Sequence, residues 1–233
     1  MSRLDGAHPS RVIDLGCGPG TSTQLLRERW PAARITALDS SPDMIAEARN
    51  TDPSIEWVLG DVRAWRPTNL FDLVFSNAAL QWVPDHEGLF PRLFASVASG
   101  GTLAVQMPNN SDPAASRCVR AVSEDTRWAS QWSPDPQPAR VGPLDFYYDL
   151  LASQASEIAL WETEYHHVLP GAGSILEWFK GTALRPFLQE LPSSDQDAFL
   201  TEVERRLRIS YPAKRDGNVL FPFRRLFVVA RRA

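Results

Sequence analysis

Four small or acidic positions alternate in one stretch, Asp14-Leu15-Gly16-Cys17-Gly18-Pro19-Gly20. Glycine at every second place lets a ligand touch backbone that side chains would otherwise cover. Arg11–Ile13 ahead of it reads as a short buried strand, and Thr21 to Trp30 behind it reads as a helix with Leu25 and Leu26 on its apolar side. A strand entering a helix through such a turn suits NAD, FAD or S-adenosylmethionine. Spacing helps to separate them. A dinucleotide fingerprint, G-x-G-x-x-G/A, places its last small residue where this chain has Thr21. The third glycine here is Gly20, and the acid Asp14 stands two places before the first. Cys17 reads as a small spacer between glycines.

Further along, acids recur where apolar runs end. Asp39 closes the second run, where a carboxylate meets ribose hydroxyls, two acceptor oxygens facing two donors. Each such bond contributes roughly 1.5–3 kcal/mol; the competing reading is an acid placed for a helix dipole. In Ser40-Ser41-Pro42-Asp43-Met44, Ser40 lies beside the same ribose site, and Met44 packs either on adenine or into a helix core. Gly60-Asp61-Val62 follows the third run. Asp61 would accept an adenine amino hydrogen while the Val62 N–H meets a ring nitrogen, unless Asp61 is an ordinary turn aspartate. Ser76-Asn77-Ala78-Ala79-Leu80-Gln81-Trp82 follows the fourth run. Asn77 and Ala78 are expected to line the methionine part of a cofactor. Gln81 and Trp82 are expected to face the methyl group or a substrate, with plain core as the rival reading for Trp82. The Asn/Asp-Pro-Pro-aromatic box of amino-methylating enzymes is not matched there.

The elements that must carry these residues alternate at short spacing. Arg11–Leu15, Arg34–Leu38, Ile55–Leu59, Phe71–Ser76 and Thr102–Gln106 are apolar runs of strand length, with helices expected at Thr21–Trp30, Pro42–Asn50 and Leu89–Val97. Ser41-Pro42 is a helix start, and Gly100-Gly101 is expected to stop the third helix. This βαβαβ rhythm predicts a parallel sheet with helices on both faces. After Met107 it breaks into a proline-rich stretch around the amphipathic Ala115–Trp128. An extended run, Ile158–Leu169, helices at Ile175–Lys180 and Asp197–Arg208, and a last strand, Leu226–Ala230, complete the reading. With two late strands the sheet counts seven, mostly parallel, carrying a helical cap.

Composition narrows the class. The 233 residues are 43% hydrophobic, enough for a substantial core. The net charge of −4 argues against a nucleic-acid partner. No apolar run reaches the ~18 residues of a membrane span, and Met1 to Ser10 show no secretory core. Cys17 and Cys118 form no disulfide framework, which suits a cytoplasmic protein. With the four histidines they make no metal pattern, so no metal is expected. Nearly all the cations are arginines, whose planar fork grips carboxylates. In the second half, Tyr147-Tyr148, Tyr165-His166-His167 and Leu184-Arg185-Pro186-Phe187 supply candidate grips. Neighbours on a strand point to opposite faces, so only one of His166 and His167 turns inward, and the parity is open. Arg185, in an apolar segment, is expected to be buried against a carboxylate.

Asp-x-Gly-x-Gly-x-Gly resembles motif I of the class I S-adenosylmethionine-dependent methyltransferases, which have a Rossmann-like fold. Val12–Gly20, Trp30–Thr36, Leu38–Met44, Asn77–Trp82 and Val105–Pro108 resemble the trans-aconitate 2-methyltransferase family more closely. So do Tyr147–Leu151, Tyr165–His167, Leu184–Leu188 and Leu226–Arg231. The resemblance implies one methyltransferase domain over 1–233, a cofactor-binding half at 1–107, and cap or substrate insertions at 108–145 and 170–218. It implies transfer of a methyl group from S-adenosylmethionine to a carboxylate of trans-aconitate or a similar small polycarboxylate. That transfer rests on positioning, with no catalytic acid or base. Asp14, Gly16, Cys17, Gly18, Gly20, Asp39, Ser40, Met44, Asp61, Val62, Asn77 and Ala78 are the candidate cofactor contacts. Gln81, Trp82, Tyr147, Tyr148, His166, Arg185 and Arg224 are the candidate substrate contacts, with Arg225 a weaker one. Arg224 stands where the family tends to carry proline. The expected state is a monomer or weak homodimer without nucleic-acid or membrane partners. Carboxyl methylation of a malonyl thioester, a non-catalytic S-adenosylmethionine-binding regulator and an NAD-dependent oxidoreductase are the rivals.

Overall fold

The computed structural model describes residues 4, 7–109, 113–132, 141–181 and 183–233. The strands are β1 (Arg11–Leu15), β2 (Arg34–Asp39), β3 (Glu56–Leu59), β4 (Phe71–Asn77), β5 (Val97–Pro108), β6 (Ala155–Leu169) and β7 (Val219–Arg232). They form one seven-stranded sheet in the order β3-β2-β1-β4-β5-β7-β6. β1 pairs in parallel with β2 and with β4, β2 with β3, and β4 with β5. The order reverses beside β1, so the crevice outside the carboxyl ends of β1 and β4 is the place where open α/β sheets take ligands. In the β6–β7 pair, contacts link Ser156 to Arg231, Trp161 to Phe227 and Glu164 to Arg224. As one number rises the other falls, so this pair runs antiparallel.

The helices are α1 (Thr21–Arg29), α2 (Pro42–Arg49), α3 (His86–Ala95), α4 (Pro113–Ser123), α5 (Leu144–Leu151), α6 (Ala172–Lys180), α7 (Arg185–Glu190) and α8 (Ser193–Ser210). α2 starts as its sequence dictates: the Ser41 hydroxyl accepts the Met44 N–H and Pro42 fills the first turn. The third helix differs from expectation. It runs from His86 to Ala95, and Gly100-Gly101 lies within β5 rather than stopping a helix. The real start signal is Asp85, whose carboxylate caps the Gly88 N–H.

The chain forms two compact units. The first comprises Met1–Pro108, Ala139–Glu162 and Leu226–Ala233; the second comprises Asn109–Pro138 and Thr163–Arg225. Both units take a part of β6 and of β7.

In the first unit the period of two sorts β1 between two cores. Ile13 and Leu15 join Val74, Leu103, Phe90 and Tyr147 on one face; Val12 joins Ile35, Ala37, Leu26 and Ile45 on the other. That alternation sends Asp14 to the α1 side. Losing one of these buried aliphatic chains costs about 2–5 kcal/mol. The second unit has its own core. Phe199, Val203 and Leu207 recur along one face of α8 and pack with Trp128, Phe187 and Ile175.

Candidate active site

The glycine turn sits at the carboxyl end of β1. The Gly16 and Cys17 N–H groups both donate to the Leu38 carbonyl, at 2.7 and 3.1 Å, which pins the turn to the end of β2. Gly16, Gly18 and Gly20 all have positive φ, at 72°, 55° and 96°. Their reasons differ. A Cβ on Gly16 would overlap the Ala79 Cβ, and one on Gly20 would come within 2.8 Å of the Trp57 ring. One on Gly18 would meet nothing within 4 Å. Two of the glycines therefore serve packing, and Gly18 is the one that faces open space.

Asp39 borders that space. Its Oδ2 accepts the Gly18 N–H at 2.8 Å and its Oδ1 accepts the Ser41 N–H at 2.9 Å. A carboxylate has about four acceptor sites, so capacity remains for two ribose hydroxyls. Ser40 and Met44 are exposed beside it, Met44 by 36%, which takes Met44 out of the helix core.

Asp14 lies beneath the turn, at 0% exposure. Its Oδ2 accepts the Ser22 and Thr23 hydroxyls at 2.8 and 2.7 Å, while Oδ1 is buried without a partner. Burial pushes its carboxyl up to about 6; the Thr23 and Ser22 hydroxyls oppose the rise and the Asp39 charge adds to it. Cys17 is buried as well, and burial followed by the Asp14 and Asp39 charges pushes its thiol up to about 12. Its side chain packs in the α1-side core, so only its backbone is available to a ligand.

Asp61 forms the turn that its rival reading describes. Its Oδ1 accepts the Arg63 N–H and its Oδ2 the Arg63 guanidinium at 2.8 Å, which hold its carboxyl below the usual carboxylate range. Val62 is buried in the core, and the Arg92 guanidinium ties the Val62 and Trp65 carbonyls to α3. At the end of β4, Asn77 is exposed and Ala78 has a φ of 54°. Trp82 is 46% exposed, so the core reading of it falls. Gln81 is buried, with its Nε2 donating to the Ala78 carbonyl at 2.7 Å.

Several substrate expectations need correction. Tyr147 is 0% exposed, and its hydroxyl bonds His86 and the Gly142 N–H at 2.8 and 3.1 Å. It is a core residue; its neighbour Tyr148 is the exposed one. Arg185 is not buried. It opens α7, whose inward face is carried by Phe187, and its guanidinium has no partner among the described residues. Arg224 is held by Glu164 at 2.6 Å, and His166 lies 3.0 Å from the same carboxylate. Arg224 is the first cause of the lowered Glu164 carboxyl. His167 is the inward neighbour, edge-on to Trp178 and Phe223. Arg225 lies over the Phe223 and Tyr165 rings. Sequence reasoning missed His86 and Arg92 altogether, and the Asp85 cap was the signal that placed His86 on a helix.

Residues 12–101 match a family model described as a methyltransferase domain. The YcgJ protein of Bacillus subtilis is similar in fold, with a TM-score of 0.64 at 15% identity over 99% of this chain and 95% of that one. A methyltransferase from Bacillus halodurans gives 0.62 at 15% identity, over 99% and 96%. The glycine turn, the acid at the end of β2 and this sheet order define an S-adenosylmethionine-dependent methyltransferase of class I. Trans-aconitate 2-methyltransferase of Variovorax paradoxus is 44% identical over all of this chain and 90% of its own length. Its namesake in Escherichia coli O157:H7 is 46% identical over all of this chain and 90% of its own length. The chain belongs to the trans-aconitate 2-methyltransferase family.

Proposed function

We propose that this chain esterifies one carboxylate of trans-aconitate, or of a closely similar small polycarboxylate. The observation that carries the reading is the 44–46% identity, across the whole chain, to relatives bearing that name. The residues at the crevice fit the cofactor: an open Gly18, an Asp39 with acceptor capacity left, and an exposed Asn77 at the end of β4.

When bound, S-adenosylmethionine supplies an electrophilic methyl group: a carboxylate lone pair forms the C–O bond, the C–S bond leaves its electrons on sulfur, and methyl ester and S-adenosylhomocysteine result. The chain need supply no base, because a carboxylate with a pKa near ~4 is already ionised at pH 7. Alignment and exclusion of water are the tasks left to it. The turn at Gly16–Gly20 and the Asp39 carboxylate hold the adenosyl sugar, and Val62 borders the base. Asn77 and Ala78 hold the amino-acid end. Arg185 is the first choice for gripping a second carboxylate, since its guanidinium has no partner among the described residues while Arg224 is neutralised by Glu164. Tyr148 is exposed and is the second candidate.

The same reading includes a cytoplasmic monomer or weak homodimer, with no nucleic-acid or membrane partner. The acidic balance and the two free cysteines support it, and no described helix is long and apolar enough to cross a membrane. Mass spectrometry with methyl-labelled S-adenosylmethionine tests the reaction against trans-aconitate and related di- and tricarboxylates. A labelled monomethyl ester is expected. Tight cofactor binding with no ester from any of them would overturn the reading.

A further inference from the structure

The segment that follows β4 is held in an unusual way. Ala78 and Asp85 are the non-glycine residues with positive φ among the described ones, at 54° and 58°, and they bracket the short 3₁₀ turn Leu80–Trp82. Left-handed backbone at such residues persists only where the surroundings over-determine it. Three contacts do so here. Ala79 abuts the Gly16 backbone where any side chain would overlap it. The Gln81 side chain bonds back to the Ala78 carbonyl. The third contact comes from outside the segment, through His86.

His86, at the start of α3, is buried. Its Nε2 lies 2.9 Å from the Leu80 carbonyl and its Nδ1 lies 2.8 Å from the Tyr147 hydroxyl. A carbonyl only accepts, so Nε2 carries the hydrogen. In the neutral ring Nδ1 is then the acceptor, and the Tyr147 O–H donates to it. The Tyr147 oxygen in turn accepts the Gly142 N–H at 3.1 Å. Each polar atom in the series is satisfied in one direction: Gly142 N–H to Tyr147, Tyr147 O–H to His86, His86 N–H to Leu80. Burial pushes the Tyr147 hydroxyl up to about 12, so the donor keeps its proton at neutral pH. Phe90 packs against both rings, at 5.2 and 4.6 Å, and fixes their orientation.

We infer that His86 and Tyr147 are positioning residues for the acceptor side of the crevice: through the Leu80 carbonyl they fix the turn that carries Gln81 and Trp82. The inference rests on the carboxyl-methylation reading for what Gln81 and Trp82 face, and on geometry alone for the tether itself. α5 thereby braces a turn at the end of β4 through one histidine of α3. The tether's own hydrogen bonds reach the Leu80 carbonyl and go to neither the Gly16–Gly20 turn nor Asp39.

Tyr147→Phe removes one oxygen and keeps the ring packing. Two readouts are taken on the folded variant. Hydrogen exchange of the Trp82 and Val83 amides, which bond the Ala79 and Leu80 carbonyls, is expected to quicken about tenfold, with the β4 amides unchanged. KM for trans-aconitate is expected to rise about tenfold, while the dissociation constant of S-adenosylmethionine stays within about twofold. His86→Gln can keep a donor for Leu80 and an acceptor for Tyr147, and is expected to lie nearer wild type than His86→Leu in both readouts. Unchanged exchange at Trp82 and Val83 in Tyr147→Phe overturns the inference. So does exchange that rises equally through β4 and α3, which would make Tyr147 an ordinary core residue, or a loss confined to cofactor affinity. If Tyr147→Phe does not fold, His86→Gln decides: exchange at Trp82 and Val83 close to His86→Leu overturns the tether, and exchange close to wild type sustains it. Wild-type protein that binds cofactor and methylates no polycarboxylate would remove the substrate reading, and the exchange measurements would still test the tether.

Discussion

Gly16 and Gly18 stand two residues apart in one turn, and exchanging each for alanine should damage different properties. Both have positive φ, so both substitutions incur the left-handed penalty of about 1–2 kcal/mol. At Gly16 the added methyl also overlaps Ala79, and such overpacking adds about 1–3 kcal/mol. At Gly18 the methyl meets no protein atom within 4 Å. For a chain of this size, 1 kcal/mol lowers the melting temperature by about 2–4 °C. Gly16→Ala should therefore melt about 4–20 °C below wild type, and Gly18→Ala only about 2–8 °C below it. Cofactor affinity should rank the other way. The Gly18 methyl projects into the space beside Asp39 where the ligand must approach backbone, and a loss of at least about tenfold corresponds to a single lost contact. Differential scanning calorimetry of the apo proteins and titration calorimetry with S-adenosylmethionine measure the two effects. Wild-type affinity in a folded Gly18→Ala would show that ligand does not use that space. Equal melting temperatures for the two variants would refute the packing reason given for Gly16.

Asp39→Ala removes the sugar anchor together with the acceptor that holds the Gly18 N–H, and should weaken S-adenosylmethionine binding about 100-fold by calorimetry; unchanged affinity would contradict the ribose assignment. Arg185→Ala should raise KM for the polycarboxylate about tenfold or more with cofactor affinity unaltered, and equal kinetic constants would remove Arg185 from the pocket. Asp14 has a folded pKa near 6 against a reference value of 3.8, so the native state holds the extra proton between those values. Its stabilising share is present in full below about pH 4 and is lost as pH rises through 6, an effect on the order of 3 kcal/mol. Urea unfolding of wild type should weaken across that window relative to Asp14→Asn, and parallel pH profiles would show that Asp14 titrates normally.

The meeting of the glycine turn with Asp39 was legible because its signals are local. An apolar run, alternating glycines and a following acid need only a few neighbouring residues to be recognised, and the sheet places Gly18 and Asp39 together as those signals imply. The substrate side depended on partners distant in sequence. The Tyr147 hydroxyl is consumed by His86, 61 positions away, and nothing in Tyr147-Tyr148 says which ring turns inward until α5 packs on α3. A strand period of two left the same ambiguity at His166-His167; Trp178 and Phe223 resolve it by taking His167. Arg185 was misjudged for a different reason. Pro186 marks a helix start, and the short helix α7 buries Phe187 while turning its first residue out. Glu164, which neutralises Arg224 across the β6–β7 pair, belongs to a register that only the folded strands define.

The reaction proposed above moves no proton and would leave the fold free to use polar side chains for placement; at the crevice several of them hold loops in place. Three loops at the carboxyl edge of the sheet are fixed by groups from other elements. The Asp39 carboxylate at the end of β2 holds Gly18 of the turn after β1. The methyl of Ala79, after β4, fills the place of a Gly16 side chain. From α3, Arg92 takes the Val62 and Trp65 carbonyls after β3, and His86 takes the Leu80 carbonyl after β4. α3 therefore fixes the segment after β3 and the turn after β4 from separate ends, with Phe90 and Leu93 buried between them. Rigid placement of this kind can supply about 7–11 kcal/mol of a barrier through orientation alone, which is the contribution the proposed methyl transfer would require of its protein.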